Sequence, residues 1–221
     1  MSLCQANQYS CGCCCGYLNL SLDRDELKEV LRERTRLFRN SVNFSVPWTI
    51  AEFRKEREKK ELDFKRIDEQ TYVCPFLGFI ENHEDRIGCL IHPIASGDPL
   101  SQNFSFYGAS ICQGYDCKNK ESEITELIKK MNEKVAESFW EYSILSADHR
   151  YWKFLLVEIL SLFGKEESIQ QEVLISKLLR FRLDCLKQEK KMSLTSFELE
   201  EEDFSKYREK IQDWVSKKLE T

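Results

Sequence analysis

The chain has 221 residues, 42 % apolar and 32 % charged, with a net charge of -5, the composition of a globular protein long enough to bury a real core. The acidic balance excludes a dedicated nucleic-acid binder, because neutralising phosphates takes a basic surface. The most apolar-rich run, Tyr151 to Phe163, is broken by Lys153, Glu158 and Ser161 and is shorter than the ~20 residues of a membrane span; with no secretory pattern at the start, the expected location is cytoplasmic, with no membrane and no nucleic acid among the partners.

Residues 1–21 read as an irregular start rich in Cys and Gly. A helix is then expected from Asp23, an N-cap answered by Glu26 in a capping box, with Leu22 and Leu27 placed as a hydrophobic staple. Leu27, Val30, Leu31, Leu37 and Phe38 give it an apolar stripe as far as about Arg39. After a connector ending at Pro47 the same grammar predicts a second helix, with Thr49 as cap, Glu52 as its partner and Trp48 stapling to Phe53. Its charged run, Arg54 to Glu61, reads as a solvated surface.

Between residues 71 and 118 Gly, Pro, aromatic and Cys residues dominate. Short apolar runs at Phe76–Ile80 and Arg86–Ile91 predict a small hairpin. A turn centred on His83 sets Leu77 opposite Cys89 and Cys74 opposite His92. A loop holding Pro93, Gly97, Pro99 and Gly108 follows, ending in Cys112 and Cys117. From Glu121 onward the chain is expected to be helical. Ile124, Leu127, Ile128, Met131, Val135, Phe139 and Tyr142 fall at helical spacing. Asp148 is placed to cap a helix, apolar nearly all round, that stops at Gly164. Ser168 with Gln171 starts a long helix to about Lys190. Phe204, Tyr207, Ile211, Trp214, Val215 and Leu219 mark a final amphipathic helix. The fold class expected is therefore mainly α: an irregular Cys-rich metal-binding half with a small β-hairpin (1–118), followed by an all-helical half (119–221) packed on it.

The chemistry lies in ten cysteines, nine of them at or before position 117. They form three groups: Cys11-Gly12-Cys13-Cys14-Cys15-Gly16, preceded by Cys4; Cys74 with Cys89; and Cys112 with Cys117. Such clustering in a long chain with no export signal points away from a disulfide scaffold and toward metal. Thiolate is a soft anionic ligand that suits zinc or an iron–sulfur cluster. Gly12, Gly16 and Gly114 permit the positive φ that tight turns around an ion use. Neighbours such as Cys14 and Cys15 seldom both point at one tetrahedral ion, so one of them serves a second metal or packs as a small hydrophobe. The alternative for every one of these residues is a reduced structural thiol. Cys185, beside Phe181, Leu183 and Leu186, is expected in the core. His92 stands three residues after Cys89 and is weighed between ligand and hydrogen-bonding support; His83 and His149 are expected on the surface. No nucleophile elbow, phosphate-binding glycine loop or His-Glu-x-x-His stretch is found. The acidic run Glu198 to Asp203 reads as a solvated helix start.

With these residues in view, the chain resembles the YkgJ-like CxxCxxCC family of zinc- or iron-chelating proteins. The resemblance runs from about residue 4 to 118 and rests on motif order: the knot with Cys11, Cys14 and Cys15; Cys74-Pro75-Phe76-Leu77; Gly88-Cys89-Leu90-Ile91-His92; then Cys112 and Cys117. It implies metal chelation by these seven cysteines and does not imply a reaction. The family's leading cysteine falls at Gln8, with Cys4 nearby. Cys13 takes a position that is usually small and non-ligating. A longer loop, Ile94 to Ser110, replaces the family's Arg-Pro. Cys4 and Cys13 are thus candidate ligands that the family pattern does not cover.

Three functions compete. The first is a metal-binding protein with a cysteine-ligated zinc centre, or an iron–sulfur one, whose role is structural. The second is an iron–sulfur or zinc enzyme or redox protein, motivated by a surplus of thiols over one four-ligand site. The third is a module whose helical half takes a protein partner while metal staples the rest.

Overall fold

The computed structural model describes residues 2–80, 84, 86–115, 117–163, 169–189 and 204–219. The described chain is mainly helical, with one small antiparallel pair of strands. His83, Gly164, Ser168 and the acidic run Glu198 to Asp203 lie outside the described residues.

Helix α1 (Arg24–Ser41) starts where the sequence places it. Asp23 Oδ1 accepts the N–H groups of Asp25 and Glu26 at 2.9 Å each, and Glu26 accepts that of Asp23 at 2.8 Å. This reciprocal arrangement satisfies donors that a helix start otherwise leaves bare. Its inner face carries Leu27, Val30, Leu31 and Phe38, and also Arg34 and Thr35.

Helix α2 (Trp48–Lys60) departs from expectation in two ways. No side chain caps it. The Thr49 hydroxyl instead serves the connector, accepting from Asn43 N at 3.0 Å and donating to Val46 O at 2.7 Å. Pro47, with its φ already helical, begins the turn. Trp48 is 65 % exposed, so no staple closes on Phe53. Its charged face is not all solvated either. Arg57 is buried with Glu61, and Arg34 of α1 donates to the same carboxylate through Nε at 2.8 Å. Glu33 pairs with Arg57 at 2.9 Å. Two buried cations thus meet one buried and one half-exposed carboxylate, which is how such charges are tolerated away from water.

The hairpin joins β1 (Leu77–Phe79) to β2 (Ile87–Cys89) in the expected register, with Leu77 opposite Cys89. One further hydrogen bond, from Leu90 N to Phe76 O at 2.8 Å, follows, and the pairing does not reach Cys74 or His92. Thr35 Oγ ties α1 to the hairpin, accepting from Phe79 N at 2.7 Å while donating to Leu31 O. The expected loop beyond contains short helical pieces: α3 (Pro93–Ser96), a tight turn at Ser101–Phe104, and α4 (Gly108–Gly114).

The apolar stripe from Ile124 to Tyr142 is two helices, α5 (Thr125–Val135) and α6 (Phe139–Ala147). Ala136 turns extended between them and Ser138 caps α6, its hydroxyl accepting from Glu141 N at 3.4 Å. Helix α7 (His149–Phe163) follows Asp148, whose carboxylate accepts from Tyr151 N at 3.3 Å. It is central only along one face. Tyr151, Trp152, Leu155 and Ile159 are buried, while Val157, Leu160 and Leu162 are exposed. Helix α8 (Ile169–Glu189) buries Leu174, Ile175, Leu178, Leu179, Leu183 and Leu186. Helix α9 (Ser205–Leu219) turns Tyr207 and Ile211 inward.

One apolar cluster runs from Leu3 and Tyr9 through Leu31, Leu77 and Tyr142 to Leu183 and Ile211. The Cys-rich start and the later helices therefore share a core. A smaller cluster, with Phe38, Phe53, Phe76 and Ile91, fills the space between α1, α2 and the hairpin. Cys15 packs against both. Among the described residues no helix is long and apolar enough to cross a membrane.

Candidate metal centre

The cysteines are positioned by backbone hydrogen bonds. Cys11 N donates to Cys4 O at 3.0 Å, so the segment from residue 4 to 11 folds back and sets these two side by side. Ser10 fixes the fold to the hairpin, its hydroxyl donating to Ile87 O at 2.7 Å and accepting from Ile87 N at 2.6 Å. Cys13, Cys14 and Cys15 form a single 3-10 turn, closed by Gly16 N donating to Cys13 O at 2.8 Å. Gly16 has a φ of 71°, the conformation its residue type allows most freely. Gly12 and Gly114 do not adopt positive φ. At Gly12 the reason for glycine is space: an added Cβ would sit 2.7 Å from Ile87 Cδ1. Directly after the cysteine turn, Cys74 N donates to Cys15 O at 2.9 Å and draws the second motif onto the first.

Two neighbourhoods result. Cys4, Cys11, Cys13, Cys14 and Cys117 line one cavity of about 70 Å³, together with Lys118, Asn119 and His149. Cys13 lies 3.1 Å and Cys11 3.9 Å from the carbonyl of Ser143 on α6. Asn119 anchors the Cys117 turn by donating to Ser146 O at 2.9 Å. On the other side of the turn, the Cys15 thiol interacts with both Cys14 and Cys74. Cys89 accepts from Gln102 Nε2 at 3.7 Å, and Cys112 lies 3.6 Å from Ser105 Oγ. Cys112 and Cys117, paired in the sequence, thus part company. Cys185 is half-buried against the main core, as its neighbours in the chain suggest.

The electrostatics follow from crowding. Burial, with Cys11 and Cys117 close by, pushes the Cys4 thiol up to about 12. Burial likewise raises Cys13 well above the ordinary value and Cys89 to about 12. Cys15, held between two sulfurs, keeps its proton, and that contact lowers Cys14 and Cys74. Backbone amides two residues ahead face three of the sulfurs: Phe76 at Cys74, Ile91 at Cys89 and Asn119 at Cys117. Each of these amides favours the thiolate, as hydrogen bonds to a charged form do. Burial still leaves Cys89 and Cys117 raised on balance.

No protein-family model matches the chain, and no curated protein or solved structure matches it. The likeness to the CxxCxxCC family therefore rests on motif order alone.

Thiols are the donor type that a soft cation takes, and amides are aimed at several of these sulfurs. Even so, among the described residues no group of three or more Cys, His, Asp or Glu stands arranged as a metal-holding site. The thiols here contact one another and nearby carbonyls, whereas ligation requires them deprotonated and drawn together. His92 takes no part. It is exposed and caps α3, its Nδ1 accepting from Ile94 N at 3.2 Å. His149, expected at the surface, lines the cavity instead. Nothing in its local sequence marks that; only the approach of α7 to the Cys117 turn does.

Proposed function

We propose that this is a metal-binding protein whose cysteines hold zinc, with an iron–sulfur cluster as the alternative, and that the bound metal organises the first half of the chain. The reading rests on one observation above others. Five cysteines from positions as distant as 4 and 117 line a single small cavity. Around the cysteines themselves the chain spends little regular structure: short turns, a hairpin of three residues a side and helices of four and seven residues, while the long helices α1 and α2 carry none of them. Ligation of zinc contributes on the order of 10–16 kcal/mol of folding-linked free energy in small domains, enough to dominate the stability of such a segment. The motif order shared with the zinc- or iron-chelating CxxCxxCC proteins supports the same reading.

In this reading Cys11, Cys14 and Cys117 hold the metal, with Cys4 and Cys13 beside them in the cavity; Cys15, Cys74, Cys89 and Cys112 complete the donor set. Zinc supplies charge and tetrahedral preference, without redox chemistry. Protein purified anaerobically should carry zinc by plasma mass spectrometry, and chelation should lower its thermal midpoint. Metal-free protein with an unchanged midpoint would refute the proposal.

The surplus of thiols supports the second reading, a redox protein or enzyme built on an iron–sulfur cluster. A brown anaerobic sample absorbing in the visible range would favour it. The third reading, a protein-binding helical half, gains less. It looks for exposed apolar area on the last helix, where Tyr207 and Ile211 are buried.

A further inference from the structure

We infer that the nine early cysteines form two separate ion-binding groups that meet at Cys14, so that each chain takes up two ions. The inference rests on the proposed metal binding and specifies its stoichiometry and its division among residues.

The first group is the cavity set: Cys4, Cys11, Cys13, Cys14 and Cys117. The second is Cys15, Cys74, Cys89 and Cys112: Cys15 contacts Cys74, Gln102 donates to Cys89 at 3.7 Å, and Ser105, whose hydroxyl donates to Gln102 O at 2.8 Å, lies 3.6 Å from Cys112, while Cys74 and Cys112 both act electrostatically on Cys89. The geometry of the Cys13–Cys15 turn makes the division. Consecutive residues of a 3-10 turn point about 120° apart, since the helix has three residues per turn. Cys13 is directed at Ser143 on α6, at 3.1 Å. Cys15 is directed at Cys74, whose N–H its own carbonyl accepts at 2.9 Å. Cys14 lines the cavity and also contacts Cys15. One turn thus feeds sulfurs to two sides.

Charge supports the same division. Four thiolates around a divalent ion leave a net negative charge, which is costly to bury without a cation nearby. A cation stands near each group. Arg34, paired with Glu61, is fully buried behind the second group and also donates to the carbonyls of Cys74 at 3.1 Å and Leu77 at 3.4 Å. Lys118 lines the first cavity, and Lys120 acts electrostatically on Cys4. Amides aimed at sulfur also occur on both sides, at Cys117 in the first group and at Cys74 and Cys89 in the second.

The test is a zinc titration of the chelator-treated full chain against a chromophoric competitor. The wild type should take up two equivalents. Cys89→Ser/Cys112→Ser should take up one, and Cys11→Ser/Cys117→Ser should also take up one. A wild type that saturates at one equivalent, or a Cys89→Ser/Cys112→Ser chain that still binds as many ions as the wild type, overturns the division. Uptake of no zinc at all would instead sink the underlying metal-binding proposal. Should a variant fail to fold, alkylation of the zinc-loaded wild type decides the matter by mass spectrometry. Protection of both groups supports two ions, and protection of the cavity set with Cys89 and Cys112 labelled overturns them.

Discussion

At the residue scale, the arrangement of thiols depends on Gly16. Its φ of 71° closes the three-cysteine turn, and a Cβ there would stand 2.0 Å from the carbonyl oxygen of Tyr72. That oxygen belongs to the backbone leading into Cys74, so it cannot yield without moving the second motif. Gly97 has nearly the same φ, 72°, with nothing near the position of a Cβ. The pair separates conformational cost from collision. Gly97→Ala should lose only the left-handed penalty of ~1–2 kcal/mol. Gly16→Ala should lose more than that and should release zinc more readily, both measured by urea denaturation with and without the ion. Equal losses at the two sites would mean that the Tyr72 backbone does not press on the turn. The sequence flags Gly16 through its place beside three cysteines. It also flags Gly12 and Gly114, which keep ordinary backbone angles. What separates the three is contact with residues far along the chain.

At the scale of elements, the last helix is tied down by buried charge. Arg182 of α8 donates to Asp148 at 2.7 Å and to the Tyr207 hydroxyl at 2.9 Å. Its guanidinium lies over the rings of Tyr151, Phe204 and Tyr207, within 5.1 to 5.9 Å of their centroids. Removing Asp148 takes from buried Arg182 the carboxylate it meets at 2.7 Å, and breaking a buried pair of this kind costs on the order of 3–5 kcal/mol. Asp148→Ala should therefore lower stability by about that amount, and amide exchange should rise first in α9. Unchanged exchange in α9 would show that apolar packing alone holds it. The sequence makes Asp148 legible as a helix cap, which is local, but gives no sign of its partner in α8. The same limit applies throughout. The capping box at Asp23, the hairpin register and the amphipathic stripes are legible because each depends on neighbours a few residues away. The burial of Arg57 and the break at Ala136 are not, because tertiary contacts decide them. The motif order marks seven of the nine early thiols and the clustering marks the rest, but the hydrogen bond that joins Cys74 to Cys15 is long-range, and no local pattern encodes it.

At the scale of the whole molecule, crowded thiols make stability depend on pH, and metal should offset the dependence. Burial pushes Cys4 and Cys89 from 9.0 up to about 12, and Cys13 and Cys15 also lie well above 9.0. Cys112 and Cys117 are raised too, while Cys14 and Cys74 are lowered. Below the ordinary thiol value both folded and unfolded chains keep the protons of the raised groups, and their contribution to stability is complete. Above it the unfolded chain releases protons that the folded chain retains, so folding loses ground as pH rises. The two lowered groups act in the opposite sense, but the raised ones outnumber them. The buried Tyr17 and Tyr142 hydroxyls, also raised by burial, extend the loss. Metal-free protein should therefore show a urea midpoint that falls between pH 9 and about 12. Zinc displaces those protons, so its affinity rises with pH, and the loaded protein should hold its midpoint over the lower part of that range. Parallel titrations of chelated and zinc-loaded chains would show this directly. A metal-free midpoint that stays level above pH 9 would mean that the thiols are not held in the dry, mutually repelling arrangement that keeps them protonated.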